Sequence, residues 1–229
     1  EVARERELDR QRMAFFSAAS HELKTPVTIL KGQLAGMLEG VGVYQDRDKY
    51  LLRSLQTTGR MERLIGEMLS ISRMESGSAA VRQEPVDLSA LMAQQLALDR
   101  ELLEQRGQQL VSALTPGITG PADASLLGNA VGNLLSNASR YSPEGAEIRV
   151  WCGRLEGRPA LSVENTGARI SGDALPHLFD AFCREVGSRN RSTGGSGLGL
   201  YLVKMILDRH GAVCTIENTE EGVKATVRF

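Results

Sequence analysis

The chain has 229 residues, of which 41% are hydrophobic and 4% aromatic, and its formal net charge is -1. This composition provides enough apolar surface for a core, and the length predicts one large or two modest domains. The near-neutral charge argues against a nucleic-acid-binding protein, which usually carries a basic excess. The cysteines lie far apart and form no Cys-x-x-Cys pair, so neither a zinc site nor a disulfide framework is predicted, and a reduced compartment is favoured.

Two long helices are predicted at the start of the chain. Apolar residues recur at helical spacing over residues 8–38 and again over residues 48–76, and Gly40 and Gly42 separate the two segments. Such a hairpin buries only one seam, so we expect a second copy of the chain to cover its other apolar faces in a dimeric four-helix bundle. A monomeric hairpin packed on the following domain is the alternative.

A linker at residues 77–86 precedes a region of different character, residues 87–229. Helices are predicted there at about 87–106, 123–140 and 198–210, and strands at about 109–113, 148–152, 160–164, 213–217 and 224–229. Helices mixed with adjacent antiparallel strands indicate an α+β sandwich, in which one layer of helices covers one sheet. The first 76 residues would form a separate hairpin domain.

The first helix carries a candidate nucleophile, His21, which falls off the apolar stripe and should face solvent. Glu22 can hold one ring nitrogen as N–H and leave the other lone pair free to attack. Thr25 lies one turn later on the same face, where its hydroxyl could position a water. Pro26 cannot donate a backbone hydrogen bond, which predicts a bend just after the histidine. An ordinary exposed histidine is the alternative for His21 alone.

A glycine-rich loop opens directly into the helix predicted to begin at Leu198. Gly195, Gly197 and Gly199 permit close backbone approach, and the free N–H groups at a helix N-terminus favour anionic oxygens. The loop lacks the Gly-Lys-Ser/Thr of a P-loop and the preceding strand of a dinucleotide fold. It therefore predicts a phosphate site of another nucleotide fold, with a plain turn as the alternative.

Three asparagines repeat along one face of the helix at 123–140. Asn129, Asn133 and Asn137 stand at i, i+4 and i+8, although asparagine is a mediocre helix former. Amide oxygens can join waters and phosphate oxygens around Mg²⁺, and Arg140 can bind a phosphate. The row predicts a site for a metal-bound phosphate, and a row of surface amides is the alternative.

Four motifs resemble those of sensor histidine kinases, and they occur in the family's order. Residues 20–26, Ser-His-Glu-Leu-Lys-Thr-Pro, resemble the H-box. Residues 133–138 resemble the N-box of the ATPase family that these kinases share with the DNA gyrase B subunit and the MutL mismatch-repair protein. Residues 178–184 resemble the F-box and residues 195–200 the second glycine box. The basic segment between them, residues 184–194, resembles the mobile ATP lid.

The first glycine box departs from the family's Asp-x-Gly-x-Gly pattern. It reads Asn165-Thr-Gly167-Ala-Arg169, so an amide stands in place of the carboxylate and Arg169 in place of a glycine. Asn165 keeps a carbonyl oxygen that can accept from the adenine amino group, and Glu164 is an alternative acceptor. At Asn165 the box therefore presents a neutral amide to the adenine base instead of a charged carboxylate.

The resemblance implies a Bergerat-type ATP-binding domain that uses ATP and Mg²⁺ to phosphorylate His21. It also implies that the phosphoryl group then passes from His21 to an aspartate of a response regulator. Glu22 and Thr25 would act with His21 and would also support dephosphorylation of the regulator, and Asn137 would bind the metal. The residues implied to bind ATP are Asn133, Asn137, Arg140, Tyr141, Asn165, Gly167, Gly195, Gly197, Leu198, Gly199 and Leu200.

The resemblance is most detailed to the vancomycin-resistance sensor kinases, which implies control of resistance genes. The charged opening and the absence of a long apolar run lead us to expect the cytoplasmic portion of a membrane sensor, which itself contacts neither membrane nor nucleic acid. Two alternatives stay open. One is a degenerate kinase that binds nucleotide and mainly dephosphorylates its regulator, and the other is a stand-alone ATPase clamp.

Overall fold

The computed structural model describes residues 2–77, 81–183 and 195–229. The lid expected at residues 184–194 lies outside these described residues. The chain divides into two compact units, Glu1–Ser70 and Ile71–Phe229, so that the division falls near the end of the predicted hairpin. Within the described part, no helix combines the length and the apolar character that crossing a bilayer requires.

The first unit is built from two long helices, as predicted. Helix α1 is Val2–Glu39 and helix α2 is Arg47–Glu75, with a short 3₁₀ turn at Gly42–Gln45 between them. Gly40 ends α1 with a φ of 62°, and its N–H donates to the carbonyl of Gly36 over 3.0 Å. At the start of α2 the Asp46 side chain accepts from the N–H of Lys49 over 3.2 Å and so caps the helix.

Much of the predicted apolar stripe stays exposed within this unit. Met37 and Leu64 are buried, but Val27 is 47% exposed and Leu55 is 69% exposed. The apolar side chains that α1 and α2 leave open are more than a single hairpin of this size can cover. This distribution fits the predicted dimeric bundle, which stays a prediction.

The second unit places three helices against one mixed sheet and confirms the predicted α+β class. Its helices are α3 Leu88–Gln105, α4 Ala124–Tyr141 and α5 Gly199–His210. Its strands are β1 Glu84–Asp87, β2 Gln109–Leu114, β3 Thr119–Ala122, β4 Glu147–Leu155, β5 Arg158–Thr166, β6 Val213–Asn218 and β7 Gly222–Arg228. The main sheet has the order β2-β4-β5-β7-β6, in which β2 and β4 are parallel and the other neighbours antiparallel.

Strands β1 and β3 form a separate two-stranded sheet that the sequence does not predict. They pair antiparallel from Glu84 opposite Ala122 to Asp87 opposite Thr119. Each strand is four residues long and contains a proline, which cannot donate to a ladder and is typical of an edge or a loop. Strand β1 therefore includes the last residues of the segment that the sequence assigns to the linker.

Side chains alternate between the two faces of the main sheet. On β5, Leu161, Val163 and Asn165 share one buried face, which the helices cover. Glu164 points to the opposite face, where it stands between Arg149 of β4 and Lys224 of β7. One face is therefore apolar core, and the other carries charges of alternating sign.

The beginning of α4 and the end of α5 are tied together by hydrogen bonds. Asp123 caps α4, because its carboxylate accepts from the N–H groups of Ser125 and Leu126, both over 3.1 Å. The N–H of Asp123 donates to Nε2 of the buried His210 over 2.9 Å. The other ring nitrogen, Nδ1, donates to the carbonyl of Ile206 over 2.7 Å, which fixes the tautomer.

We expect Asp123→Ala to destabilise the second unit by about 1–2 kcal/mol, because the start of α4 loses its cap. Asp87→Ala, which removes a single capping bond to α3, is the matched comparison and should cost less, since Asp123 also accepts from the N–H of Arg82. Urea unfolding followed by the fluorescence of Trp151, the chain's single tryptophan, reports this unit. Equal losses in the two variants would contradict the expectation.

The destabilisation caused by Asp123→Ala should become smaller in acid. Burial acts to raise the pKa of the Asp123 carboxyl, but backbone hydrogen bonds from Leu126, Arg82 and Ser125 outweigh it and hold the pKa below the ordinary value of 3.8. A depressed pKa in the folded state means that the stabilisation is fully present above this value and disappears as the pH falls through the lower, folded-state pKa. The difference between the parent and Asp123→Ala should therefore shrink below about pH 4.

Candidate functional site

His21 lies on the exposed surface of α1, as the sequence predicts. Thr25, one turn later, donates its hydroxyl hydrogen to the carbonyl of His21 over 3.3 Å. This hydrogen bond leaves the oxygen lone pairs of Thr25 available to accept from a water. Glu22 is half-buried beside them. The three residues thus form one polar surface on a single helix.

Pro26 lies inside α1, and the helix continues through it from Val2 to Glu39. Proline supplies no N–H to the carbonyl four residues earlier, here that of Glu22. The bend that the sequence predicts at this point stays a prediction.

The glycine-rich loop at the start of α5 lies directly against the asparagine row of α4. A Cβ atom at Gly199 would stand 3.0 Å from Oδ1 of Asn133 and 3.8 Å from Nδ2 of Asn137. A Cβ atom at Gly195 would stand 3.0 Å from Nη1 of Arg140 and 3.2 Å from Oη of Tyr141. The structure therefore brings the two predicted constellations together, with amides at one end and a guanidinium at the other.

Gly197 holds the turn of this loop and packs against Phe182, which belongs to the segment that resembles the F-box. Its φ is 75°, and a Cβ atom there would lie 2.9 Å from Cα of Phe182. The N–H of Phe182 donates to the carbonyl of Gly197 over 2.8 Å. The segment resembling the F-box thus supports the glycine loop through its backbone, a contact that no pattern in the sequence indicates.

Two leucines of the loop differ in their placement. Leu198 is fully buried, so its side chain anchors the loop to the core, whereas Leu200 is half-buried. The N–H of Leu198 donates to Oγ of Ser196 over 3.1 Å. Ser196, to which the sequence pattern assigns no role, thereby binds one of the N–H groups at the helix start.

The asparagine row is itself ordered by hydrogen bonds. Nδ2 of Asn133 donates to the backbone carbonyl of Asn129 over 3.0 Å and to its side-chain Oδ1 over 2.8 Å. This orientation turns Oδ1 of Asn133 toward Gly199. Asn129 therefore positions Asn133.

A magnesium site built by this chain would rest on amide oxygen. Among the described residues, no cluster of three or more His, Cys, Asp or Glu side chains could hold a metal ion. Asn137 offers one hard oxygen, which suits an ion that keeps waters and takes its other ligands from phosphates. The residues fit Mg²⁺ bound together with a nucleotide, and they do not fit a metal held by protein ligands alone.

Asn165 sits at the end of β5 with its side chain on the face that the helices cover. It is 5% exposed, and within the described part its Nδ2 has no hydrogen-bond partner. Two residues later Gly167 has a φ of 77°, and a Cβ atom there would lie 2.8 Å from Cγ of Pro143, just beyond α4. The first glycine box thus packs near the end of α4 that carries Arg140 and Tyr141.

Glu164 cannot take the place of Asn165. Consecutive residues of a strand point to opposite faces, and Oε1 of Glu164 accepts from the hydroxyl of Thr219 over 2.8 Å on the other side of the sheet. The prediction that Glu164 could replace Asn165 as the acceptor for the base is therefore wrong.

Comparison with known proteins places both constellations in described families. Residues 11–77 match the His Kinase A (phospho-acceptor) domain, and residues 122–229 match the histidine kinase-, DNA gyrase B- and HSP90-like ATPase. The sensor protein VanSB of Enterococcus faecalis is 37% identical over 223 residues, which are 97% of this chain and 50% of that protein. The sensor protein SrrB of Staphylococcus aureus is 29% identical over 219 residues, or 95% of this chain and 38% of that protein. The chain spans half or less of these curated relatives.

Solved structures share the fold at lower identity. The histidine kinase AdeS of Acinetobacter baumannii superposes with a TM-score of 0.73 at 23% identity, over 91% of this chain and 96% of that one. The histidine kinase ThkA, solved in complex with the response regulator protein TrrA, gives a TM-score of 0.78 at 21% identity, over 96% of this chain and 63% of that one. These likenesses concern the architecture.

Proposed function

Because the chain belongs to the sensor histidine kinases, we propose that it transfers the γ-phosphoryl group of ATP to His21 and then to an aspartate of a response regulator. The observation that carries this proposal is the packing of Gly195 and Gly199 against Arg140 and Asn133, since a cradle without Cβ atoms beside polar side chains suits a polyphosphate. An exposed histidine on a helix matched by the phospho-acceptor family supplies the second substrate.

Phosphoryl transfer depends chiefly on positioning and on the neutralisation of charge. Arg140 and the N–H groups at the start of α5 would bind phosphate oxygens. Asn133 would line the same pocket, and Asn137 would bind Mg²⁺. When bound, the metal would supply further charge neutralisation on the phosphates.

At His21 a ring nitrogen forms the new N–P bond while the bond from the γ-phosphorus to the bridging oxygen breaks, and ADP leaves with the electron pair. Glu22 would hold the N–H of the other ring nitrogen, orient the imidazole and take up the proton that the ring releases. The phosphoryl group would next move to a carboxylate oxygen of the regulator's aspartate. An O–P bond forms there while the N–P bond to His21 breaks. The ThkA–TrrA complex supports a partner of this kind.

The finer parts of the proposal concern assembly and context. We propose a homodimer, because the phospho-acceptor hairpin leaves side chains such as Val27 and Leu55 exposed. We also propose that the whole protein is a membrane-anchored sensor of which this chain is a cytoplasmic portion, and that it controls vancomycin-resistance genes. These last two points rest on the resemblance stated above and on the relatives named as sensor proteins.

The experiment that tests the activity is incubation of the chain with γ-³²P-labelled ATP and Mg²⁺, followed by treatment of the labelled protein with acid or base. We expect label that is lost in acid and retained in base, as phosphohistidine requires, and no label when EDTA removes the metal. Label stable in acid would contradict the proposal.

A degenerate kinase that mainly dephosphorylates its regulator is the second candidate, and the observation that favours it is Asn165 in the first glycine box. It would bind ATP in the same experiment without becoming labelled. Steady ATP hydrolysis that does not depend on His21 would instead indicate a stand-alone ATPase clamp.

Thr25→Ala should slow dephosphorylation of the regulator by roughly 10- to 100-fold while His21 is still labelled, because the hydroxyl that would position the attacking water is lost. Thr28→Ala is the matched control, since Thr28 is an exposed threonine of the same helix whose hydroxyl donates to the carbonyl of Lys24 over 2.9 Å. Release of phosphate from purified ³²P-labelled regulator measures the rate. Equal slowing in both variants would indicate a general effect on α1.

A further inference from the structure

The side chain of Asn165 combines deep burial with an unused donor. It is 5% exposed and stands between Ile148 of β4 and Val223 of β7 in the sheet. Within the described residues its Nδ2 makes no hydrogen bond. Buried polar groups in native proteins are normally paired, and a buried donor without a partner lowers stability. An acceptor supplied by a ligand would satisfy this donor.

The position of Asn165 associates this donor with the nucleotide site. Gly167, two residues later, packs on Pro143, and Pro143 follows the last turn of α4. That turn carries Arg140, which lies against Gly195 of the phosphate loop. The end of β5 therefore lies beside the turn of α4 that carries Arg140, within the region proposed to bind the nucleotide.

We propose that Asn165 reads the base through a neutral amide, so that the site accepts 6-oxopurine nucleoside triphosphates as well as ATP. The inference rests on the proposed function, since it assumes that the glycine loop binds a triphosphate and that Asn165 meets the group at C6 of the base.

The reason lies in the hydrogen-bonding capacity of the two side chains. An ionised carboxylate only accepts, so at this position it would pair with the amino group at C6 of adenine and repel the carbonyl at C6 of hypoxanthine or guanine. An amide both donates and accepts. Asn165 can donate to a C6 carbonyl through its unused Nδ2, or accept from the adenine amino group through Oδ1 after rotation of the amide. The base that a carboxylate rejects is thus admitted.

No acidic neighbour on β5 restores the lost charge. The adjacent Glu164 points to the other face of the sheet and binds Thr219. The residues that share the helix-covered face of β5 with Asn165 are apolar, namely Leu161 and Val163. On this strand, discrimination at C6 therefore falls to the amide alone.

Isothermal titration of the full chain with Mg²⁺-ATP and with Mg²⁺-inosine triphosphate tests the proposal. The inosine nucleotide is the matched probe, because it carries the C6 carbonyl and no added group at C2. We expect the two dissociation constants to agree within about tenfold in the parent, and Asn165→Asp to separate them by roughly 100-fold in favour of ATP. Label from γ-³²P-inosine triphosphate should follow the same order.

Gln109→Glu is the control, since it adds the same charge to an exposed position of the edge strand β2 and should leave the ratio of the two constants unchanged. A parent that binds ATP at least about 100-fold more tightly than inosine triphosphate would overturn the proposal, even if Asn165→Asp fails to fold. A parent that binds neither nucleotide would instead contradict the proposed function. Trp151 fluorescence shows whether each variant is folded.

Discussion

Replacement of His21 by Gln is expected to abolish labelling from γ-³²P-ATP, with a loss on the order of 10³-fold or more, because the amide lacks the nucleophilic ring nitrogen. His21 is exposed on α1, so its replacement leaves the core unchanged and should not disturb folding. ATP affinity, measured by titration calorimetry, should stay within a factor of about two. Loss of label with retained binding would assign the chemistry to this imidazole.

His177→Gln provides the matched control for this experiment. His177 is also exposed, with a side chain that is 65% accessible and an ion-pair contact of 2.9 Å to Asp180. Its replacement should leave labelling intact. Label that persists in His21→Gln, or that disappears equally in both variants, would contradict the assignment of His21 as the phospho-acceptor.

Replacement of Gly197 by Ala is expected to weaken ATP binding by about 10- to 100-fold and to reduce labelling in proportion. An L-residue at a φ of 75° costs roughly 1–2 kcal/mol. A Cβ atom 2.9 Å from Cα of Phe182 would in addition push the loop away from the backbone that supports it. The N–H groups offered to the phosphates would then be displaced. Titration calorimetry with Mg²⁺-ATP measures the effect.

Gly211→Ala separates the strain of a non-glycine residue at positive φ from the collision with Phe182. Gly211 ends the same helix with a φ of 67°, but a Cβ atom there would meet nothing within 4 Å. This variant has the same backbone strain without the collision, so it should lower stability by about 1–2 kcal/mol and leave ATP affinity nearly unchanged. Equal weakening of ATP binding in both variants would show that α5 as a whole, and not the glycine loop, governs affinity.

Most of the elements could be predicted because local signals mark their ends. Asp87 and Asp123 cap α3 and α4 at the residues where these helices are predicted to begin, and Gly211 follows the predicted last residue of α5. Helix α1 begins earlier than the predicted residue 8, because a charged segment without apolar periodicity can still be helical. Strands β1 and β3 escape prediction, since four residues with an internal proline pair only when the tertiary fold brings them together.

For the site, periodicity predicts which side chains share one helix and not what lies opposite them. The spacing of Asn133 and Asn137 predicts a polar face of α4, whereas the approach of Gly199 to that face is a tertiary contact. The support of Gly197 by Phe182 is likewise invisible in the sequence. Proximity along the chain suggests Glu164 as an acceptor for the base, but alternation along the strand turns its side chain to the opposite face of the sheet.

The hydrogen bond between Asp123 and His210 has a mechanical consequence for the nucleotide site. It fastens the N-cap residue of α4 to the last turn of α5, whereas Gly199 meets Asn133 and Asn137 farther along α4. The two helices therefore run antiparallel, with the end of α5 held at the start of α4 and the start of α5 beside the asparagine row. The arrangement that places Gly199 beside Asn133 is thus held by a hydrogen bond at the far end of α5, about one helix length from the glycine loop.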